Sequence, residues 1–316
     1  MIKINQNHSI SNFVISSAFG TSGTGIPIYK IFYDYLFLLT LARQTKTTII
    51  AKSLTPEKHI GNVLPFSLLN PFPFLLSARK YIKRIPEKCF EENSLEENIP
   101  RKGLVNSYRL TNEGVEIESN KIRLGAEKGF QIIPGLYGGC SKLELQKSLI
   151  LLEKNLGPYF FALELEFCPN IPSDIKVVDI CEKIELCKKL FPDKFLIIKL
   201  NYSWPPGVVR DFEKAGTDCF HAINSVSWPD IFPFSTPLLP VDCQGSVSGP
   251  AIFPKSVKFN KKLRQETNLP IIMGGGLWNM ENVEQLSAIG ANSFSGCTII
   301  TDNSLEARNI MQKYNA

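Results

Sequence analysis

Two lysines, one thiol and a set of glycines carry the chemistry that this sequence of 316 residues could perform. The run ELEFCPN, Glu164 to Asn170, alternates Leu and Glu as a half-buried strand does, then stops at Cys168-Pro169-Asn170. Proline ends the strand and releases the thiol at its carboxyl end. Most free cysteines are small buried hydrophobes, a reading that suits Cys181, Cys187 and Cys219. A thiol at a strand end can instead remove a proton from carbon, provided that nearby positive charge lowers its pKa from the usual ~8.5. Lys52 in TTIIAKS and Lys199 in FLIIKL are the cations that this requires. The glycines of GSVSGPA (245 to 251) and the triplet Gly274, Gly275 and Gly276 offer backbone N–H groups to a phosphate, although a triplet alone also simply makes a turn.

These residues need a frame. Eight β-rich runs recur: FVISSAF, TTIIAKS, FQIIPGL, YFFALELEF, FLIIKL, DCFHAIN, PIIMGGG and NSFSGCTI. Between them lie helical periods, at Leu145, Leu149, Leu152 and Leu156, at Val177, Cys181, Ile184 and Cys187, and at Val283, Leu286 and Ile289. Strands alternating with helices imply a parallel sheet, and eight of them favour a closed (β/α)8 TIM barrel over an open doubly wound sheet. Working residues then sit at the carboxyl ends of the strands. Those ends hold Ala18 and Gly20, Lys52 and Ser53, Cys168 and Asn170, and Lys199. Asn224 and Ser225, the glycine triplet, and Gly296, Cys297 and Thr298 complete the ring. The step from Ser53 to Phe130 is far longer than the others, so residues 54–125 read as an insertion over one rim, partly an antiparallel hairpin, within a single 1–316 domain.

Composition narrows the function classes. With 44% hydrophobic and 21% charged residues the chain can bury a large core. A net charge of +5, spread along the chain, suits an anionic small-molecule ligand and does not call for nucleic acid. Eight cysteines without a CxxC pair point to reduced thiols, hence a cytoplasmic protein. The start MIKINQNHSISN is polar, unlike a signal peptide. The apolar stretch IPIYKIFYDYLFLLTLA is broken by Lys30 and Asp34, so it reads as a helix burying Ile28, Ile31, Tyr35, Leu38 and Ala42, and no membrane partner is expected. His8, His59 and His221 form no metal-like cluster, so no metal is expected, and His221, inside a strand, reads as a packed, hydrogen-bonded core residue. Neither GxxxxGK[ST] nor a helix-opening GxGxxG occurs.

The strand ends resemble those of the dihydroorotate dehydrogenase superfamily, FMN-containing (β/α)8 barrels. The matching stretches are IIAKSLTPEKHIGN, LVNSYRLTN, LELEFCPN, IIKL, INSV, GSVSGPAI and IIMGGGLWNMENVEQLSAIGA with SGCT, in the family's order. The resemblance implies FMN as cofactor and oxidation of dihydroorotate or a related dihydropyrimidine. Cys168 would take the C5 proton, and Lys52 would touch both flavin and substrate. Lys199 would stabilise the reduced ring, while Asn106, Asn170, Asn224 and Ser225 would bind substrate. Ala18, Gly20, Ser53, Gly245, Ser248, Gly249, Gly274, Gly275, Gly276, Gly296, Cys297 and Thr298 would hold the flavin and its phosphate. A cysteine base is similar to the soluble class, for which the resemblance implies a homodimer and, in some members, an electron-transfer subunit.

The chain also departs from the pattern. Leu165 stands three residues before the thiol, where the family has Asn, and the neighbouring polar residue is Glu166. A carboxylate there would repel a substrate carboxylate unless Arg109 or Lys52 offsets it, or unless the ring substrate differs. YRLTN replaces the usual xGLPN of the substrate loop. Three other functions stay open: a dihydropyrimidine dehydrogenase-like role, a tRNA dihydrouridine synthase, and a flavin-binding barrel without activity. Against the second, only about 16 residues follow strand eight, too few for an RNA-binding domain.

Overall fold

The structure is a computed structural model that describes residues 1–24, 32–63, 72–91, 100–167, 176–232 and 234–316. Eight parallel strands form its centre: β1 (Phe13–Ser16), β2 (Thr48–Ile50), β3 (Gln131–Ile133 and Gly135–Tyr137), β4 (Ala162–Glu166), β5 (Phe195–Leu200), β6 (Cys219–Ala222), β7 (Ile271–Met273) and β8 (Ser293–Gly296). Proline has no N–H to give to a ladder, and Pro134 divides β3. Its first half pairs with β2 (Thr48↔Gln131) and its second with β4 (Gly135↔Glu164). The hydrogen-bonded series therefore begins and ends on one strand, and the sheet closes into a (β/α)8 barrel rather than an open doubly wound sheet.

Period-two alternation sorts the side chains. Leu163 and Leu165 of β4, Leu196, Ile198 and Leu200 of β5, and Phe220 and Ala222 of β6 join the core between the sheet and the surrounding helices. There they meet Leu145, Leu149, Leu152 and Leu156 of the helix Lys142–Leu156, which opens with a reciprocal Ser141–Glu144 capping box. Inside the barrel, Val14, Ile50, Ile133, Ala162, Ile197, Cys219 and Ile272 form an apolar floor. Ile2 and Ile10, paired across the antiparallel strands Ile2–Lys3 and Ser9–Ile10, seal it from below. The next inward positions toward the carboxyl ends are polar: Glu164 and Glu166, Lys199, His221 and Ser295.

Over the mouth lies a four-stranded antiparallel sheet ordered Val226–Ser227, Ser246–Ser248, Leu104–Asn106 and Ile82–Arg84. Two of its strands come from residues 54–125, and two come from the connection after β6. The helix Val115–Glu127 packs on Lys142–Leu156 as part of the outer ring.

Some helical faces differ from the periodic reading. Val177 is exposed, and the buried stripe of the helix Val177–Leu190 is Ile180, Ile184 and Cys187. Leu38 and Ala42 are buried on the helix Phe32–Gln44, whereas Ile28 and Ile31 lie outside the described residues, as does the side chain of Tyr35. No helix among the described residues is long and apolar enough to cross a membrane.

Candidate active site

The carboxyl ends of the strands and the rim sheet enclose a cavity of about 890 Å³. Ala18, Gly20, Lys52, Ser53, Asn106 and Lys199 line it, together with Asn224, Ser225, Ser248 and Gly249. Gly275, Gly276, Gly296, Cys297 and Thr298 complete the lining drawn from the expected residues. Gly245 and Gly274 stand behind this surface: a Cβ on Gly274 would meet the Ser295 side chain, and one on Gly245 would meet Val105 and Leu239. Close packing thus accounts for glycine at both positions. Cys168 and Asn170 lie outside the described residues.

One end of the cavity is a cradle of backbone. Gly249 and Gly276 have φ of 85° and 83°, in the left-handed region that side chains disfavour. A Cβ on Gly276 would stand 2.6 Å from the Phe253 amide nitrogen and 2.9 Å from the Gly249 carbonyl oxygen. Thr298 Oγ1 donates to Ser248 Oγ at 3.1 Å and so ties the turn after β8 to the rim strand. The helix Phe253–Glu266 begins at this cradle and turns its positive dipole end toward it, the Phe253 N–H being taken by the Pro250 carbonyl.

The other end is charged. Lys199 Nζ lies 3.3 Å from Glu164 Oε1 and 3.8 Å from Glu166 Oε2. The ion pair is all that serves Glu164 Oε1, which has no hydrogen-bond partner among the described residues. Glu164 Oε2 is 2.5 Å from His221 Nδ1, and His221 Nε2 is 2.8 Å from Ser295 Oγ. Glu166 accepts from Asn224 Nδ2 at 2.6 Å and from the Ser53 hydroxyl. His221 is therefore a buried, hydrogen-bonded residue, though its partners make it part of the site's floor.

Burial would raise the Glu164 pKa, but Lys199 and His221 outweigh it and hold the carboxyl at about 2. Burial would likewise lower Lys199, but Glu164 and Glu166 keep it above its ordinary value. Both stay charged through the physiological range.

Lys52 behaves differently. Burial pushes its pKa down to about 7, against the pull of Glu166 and Cys297 and with added repulsion from Lys199. Its Nζ rests 2.9 Å from the centroid of the Tyr108 ring. Burial, helped by Glu118, pushes the Tyr108 phenol up to about 12. Glu166 is thus held by Asn224, Ser53 and Lys199, not by Arg109, which is exposed. The thiol facing the cavity among the described residues is Cys297, and burial raises its pKa against the opposing pull of Lys199 and Lys52.

Lys52 makes stability pH-dependent. Between about pH 7 and its solution value of ~10.4 the unfolded chain holds a proton that the folded protein lacks, so stability rises with pH across that window. The cost of charged Lys52 is full below pH 7 and fades above it. Lys52→Met should therefore stabilise the unliganded protein most at pH 6, with the gain shrinking by up to about 1.4 kcal/mol per pH unit above 7. Urea unfolding of both proteins from pH 6 to 9 measures this, and a pH-independent difference would contradict it.

Fold and cavity together define a (β/α)8 barrel with a small-molecule site at the carboxyl ends of its strands, a glycine cradle facing a buried lysine–carboxylate cluster. No protein-family model matches the chain. It is 30% identical over 213 residues to the protein named dihydroorotate dehydrogenase B (NAD(+)), catalytic subunit, of Caldicellulosiruptor saccharolyticus, covering 62% of this chain and 67% of that one. Proteins of the same name from Malacoplasma penetrans and Thermoplasma acidophilum are each 26% identical. They match over 206 and 221 residues, which are 60% and 67% of this chain and 64% and 71% of theirs. The chain belongs to the dihydroorotate dehydrogenase family. Its match to the Malacoplasma penetrans protein spans just under two thirds of that protein's length.

Proposed function

We propose that the chain is a flavin-dependent oxidoreductase that oxidises the C5–C6 bond of a dihydropyrimidine, dihydroorotate or a close relative, with FMN as cofactor. The observation that carries this reading is that Lys52 and Lys199 line one cavity together with the glycine turns at Ser248–Gly249, Gly275–Gly276 and Gly296–Thr298. The residues fit FMN: the cradle admits no Cβ at Gly276, the helix Phe253–Glu266 starts beside it, and the cavity falls within the ~300–1,000 Å³ of ordinary ligand sites. Gly249, Gly276 and Thr298 would hold the phosphate, while Lys52 and Lys199 would face the ring system. The bound flavin would supply the hydride acceptor for C6.

The protein's own part is to orient the substrate, exclude water and take one proton. Cys168, as thiolate, accepts the C5 proton and becomes a thiol as the two-electron oxidation forms the C5=C6 double bond. The relatives are named catalytic subunits, so we infer a partner subunit that removes the electrons, with the chain acting as a cytoplasmic homodimer.

Anaerobic mixing of purified protein with dihydroorotate and with dihydrouracil tests the reading. Loss of the flavin absorbance with either supports it. A yellow protein bleached by neither is a flavin binder only, and a colourless protein that takes up no FMN overturns the proposal.

Gly276 offers a sharper test of the cofactor site. Alanine there must hold a left-handed φ, at ~1–2 kcal/mol, and displace the Phe253 backbone. FMN affinity should fall about 10- to 100-fold in Gly276→Ala, read by quenching of flavin fluorescence. Unchanged affinity would move the phosphate elsewhere.

A further inference from the structure

The charged floor of the cavity is unsuited to an anion. Glu166 faces the cavity beside Lys52 and Arg109, and among the described residues Asn224, Ser53, Asn106 and Lys199 are spent on the protein itself. Asn224 Nδ2 donates to Glu166 Oε1 at 2.6 Å, and its Oδ1 accepts from the Ser225 amide at 2.9 Å. The Ser53 hydroxyl donates to Glu166 Oε2. Asn106 Nδ2 donates to the Ser246 carbonyl at 3.3 Å, and its Oδ1 takes the Tyr108 amide at 3.4 Å. Lys199 divides its charge between Glu164 and Glu166. Lys52 is covered by the Tyr108 ring. An entering ligand therefore meets acceptors more than donors, because a carboxylate has about four lone-pair positions and these partners fill only part of them.

We propose that Glu166 sets the substrate class: the site takes an uncharged dihydropyrimidine ring, whose N–H donates to the Glu166 carboxylate, and rejects the carboxylate-bearing ring of dihydroorotate. This rests on the proposed function and narrows its substrate. The ring N–H groups of a cyclic ureide match the spare lone pairs of Glu166. A ring carboxylate would enter beside Glu166 and Glu164, whose neighbouring cation Lys199 is already shared between those two carboxylates.

The test is product binding to the flavin-loaded protein, measured by isothermal titration calorimetry with uracil and with orotate, alongside anaerobic bleaching by dihydrouracil and by dihydroorotate. In the unaltered protein uracil should bind at least tenfold more tightly than orotate, and dihydrouracil should bleach the flavin faster. Glu166→Gln keeps the shape and removes the charge. It should raise orotate affinity at least tenfold and weaken uracil.

The unaltered protein alone decides the substrate class should the variant fold poorly. A preference for orotate overturns the inference while leaving the flavoenzyme reading intact. A uracil preference that survives Glu166→Gln removes Glu166 from the role. Failure of both dihydropyrimidines to bleach the flavin, with neither product bound, overturns the proposed function and this inference with it.

Discussion

Lys199→Met will lower the unfolding free energy by about 3–5 kcal/mol, the range for removing one partner of a buried ion pair. The lysine is 4% exposed, Glu164 is fully buried, and Glu166 is 8% exposed. Methionine fills much the same volume but leaves two carboxylates side by side on the inner face of β4 without their shared cation. Glu164, held at about 2 by Lys199 and His221, loses the cation that offsets its burial. The damage should therefore be relieved by acid, since protonating the carboxylates left without their lysine removes their repulsion. It should also be relieved in part by adding Glu164→Gln. Equilibrium urea unfolding of the single and double variants measures both effects. A loss below about 1 kcal/mol would show that the cluster is solvated and behaves as a surface pair.

That cluster shows how far the sequence leads. The alternation in LELEF already places Leu163 and Leu165 on one face and Glu164 and Glu166 on the other, so two carboxylates inside a barrel could be read from period two alone. The apolar runs and helical stripes were legible for the same reason, local periodicity, except at Val177, where the stripe is turned by about one residue. Two features were not legible. The chain of contacts from Glu164 through His221 to Ser295 joins β4, β6 and β8 across the closed barrel, and no local pattern encodes which inward positions meet. The rim sheet is built from strands of two or three residues, too short to leave a periodic trace, and the pairing that joins its two halves, Leu104–Asn106 with Ser246–Ser248, links positions more than a hundred residues apart. The glycines divide similarly. Gly275 and Gly276 line the cavity, whereas Gly274 and Gly245 serve close packing, and a run of identical letters cannot distinguish the two uses. Arg109, expected to balance Glu166, is exposed because the loop that carries it is pinned elsewhere. Asn112 binds the Thr55 and Gly114 amides, and Asn62 binds Ser107.

Cys168→Ala should slow reduction of the flavin by substrate by 10²- to 10⁴-fold, the usual contribution of a positioned general base. Substrate binding should change far less, because Asn224, Glu166 and Lys52, proposed to face the substrate ring, keep their contacts. The loss would then fall on the reductive step and spare the dissociation constant. Serine at the same position should recover part of the rate only at high pH, because a hydroxyl gives up its proton far less readily than a thiol. In the unaltered protein the rate should climb with pH as the thiol ionises and then level, and this limb should vanish in Cys168→Ala. Stopped-flow absorbance under anaerobic conditions, across pH 6 to 10, gives both quantities. Cys297 is the competing thiol, since it faces the cavity between two lysines. An undiminished rate in Cys168→Ala, with the pH limb retained and then lost on replacing Cys297, would transfer the proton-accepting role to the turn after β8.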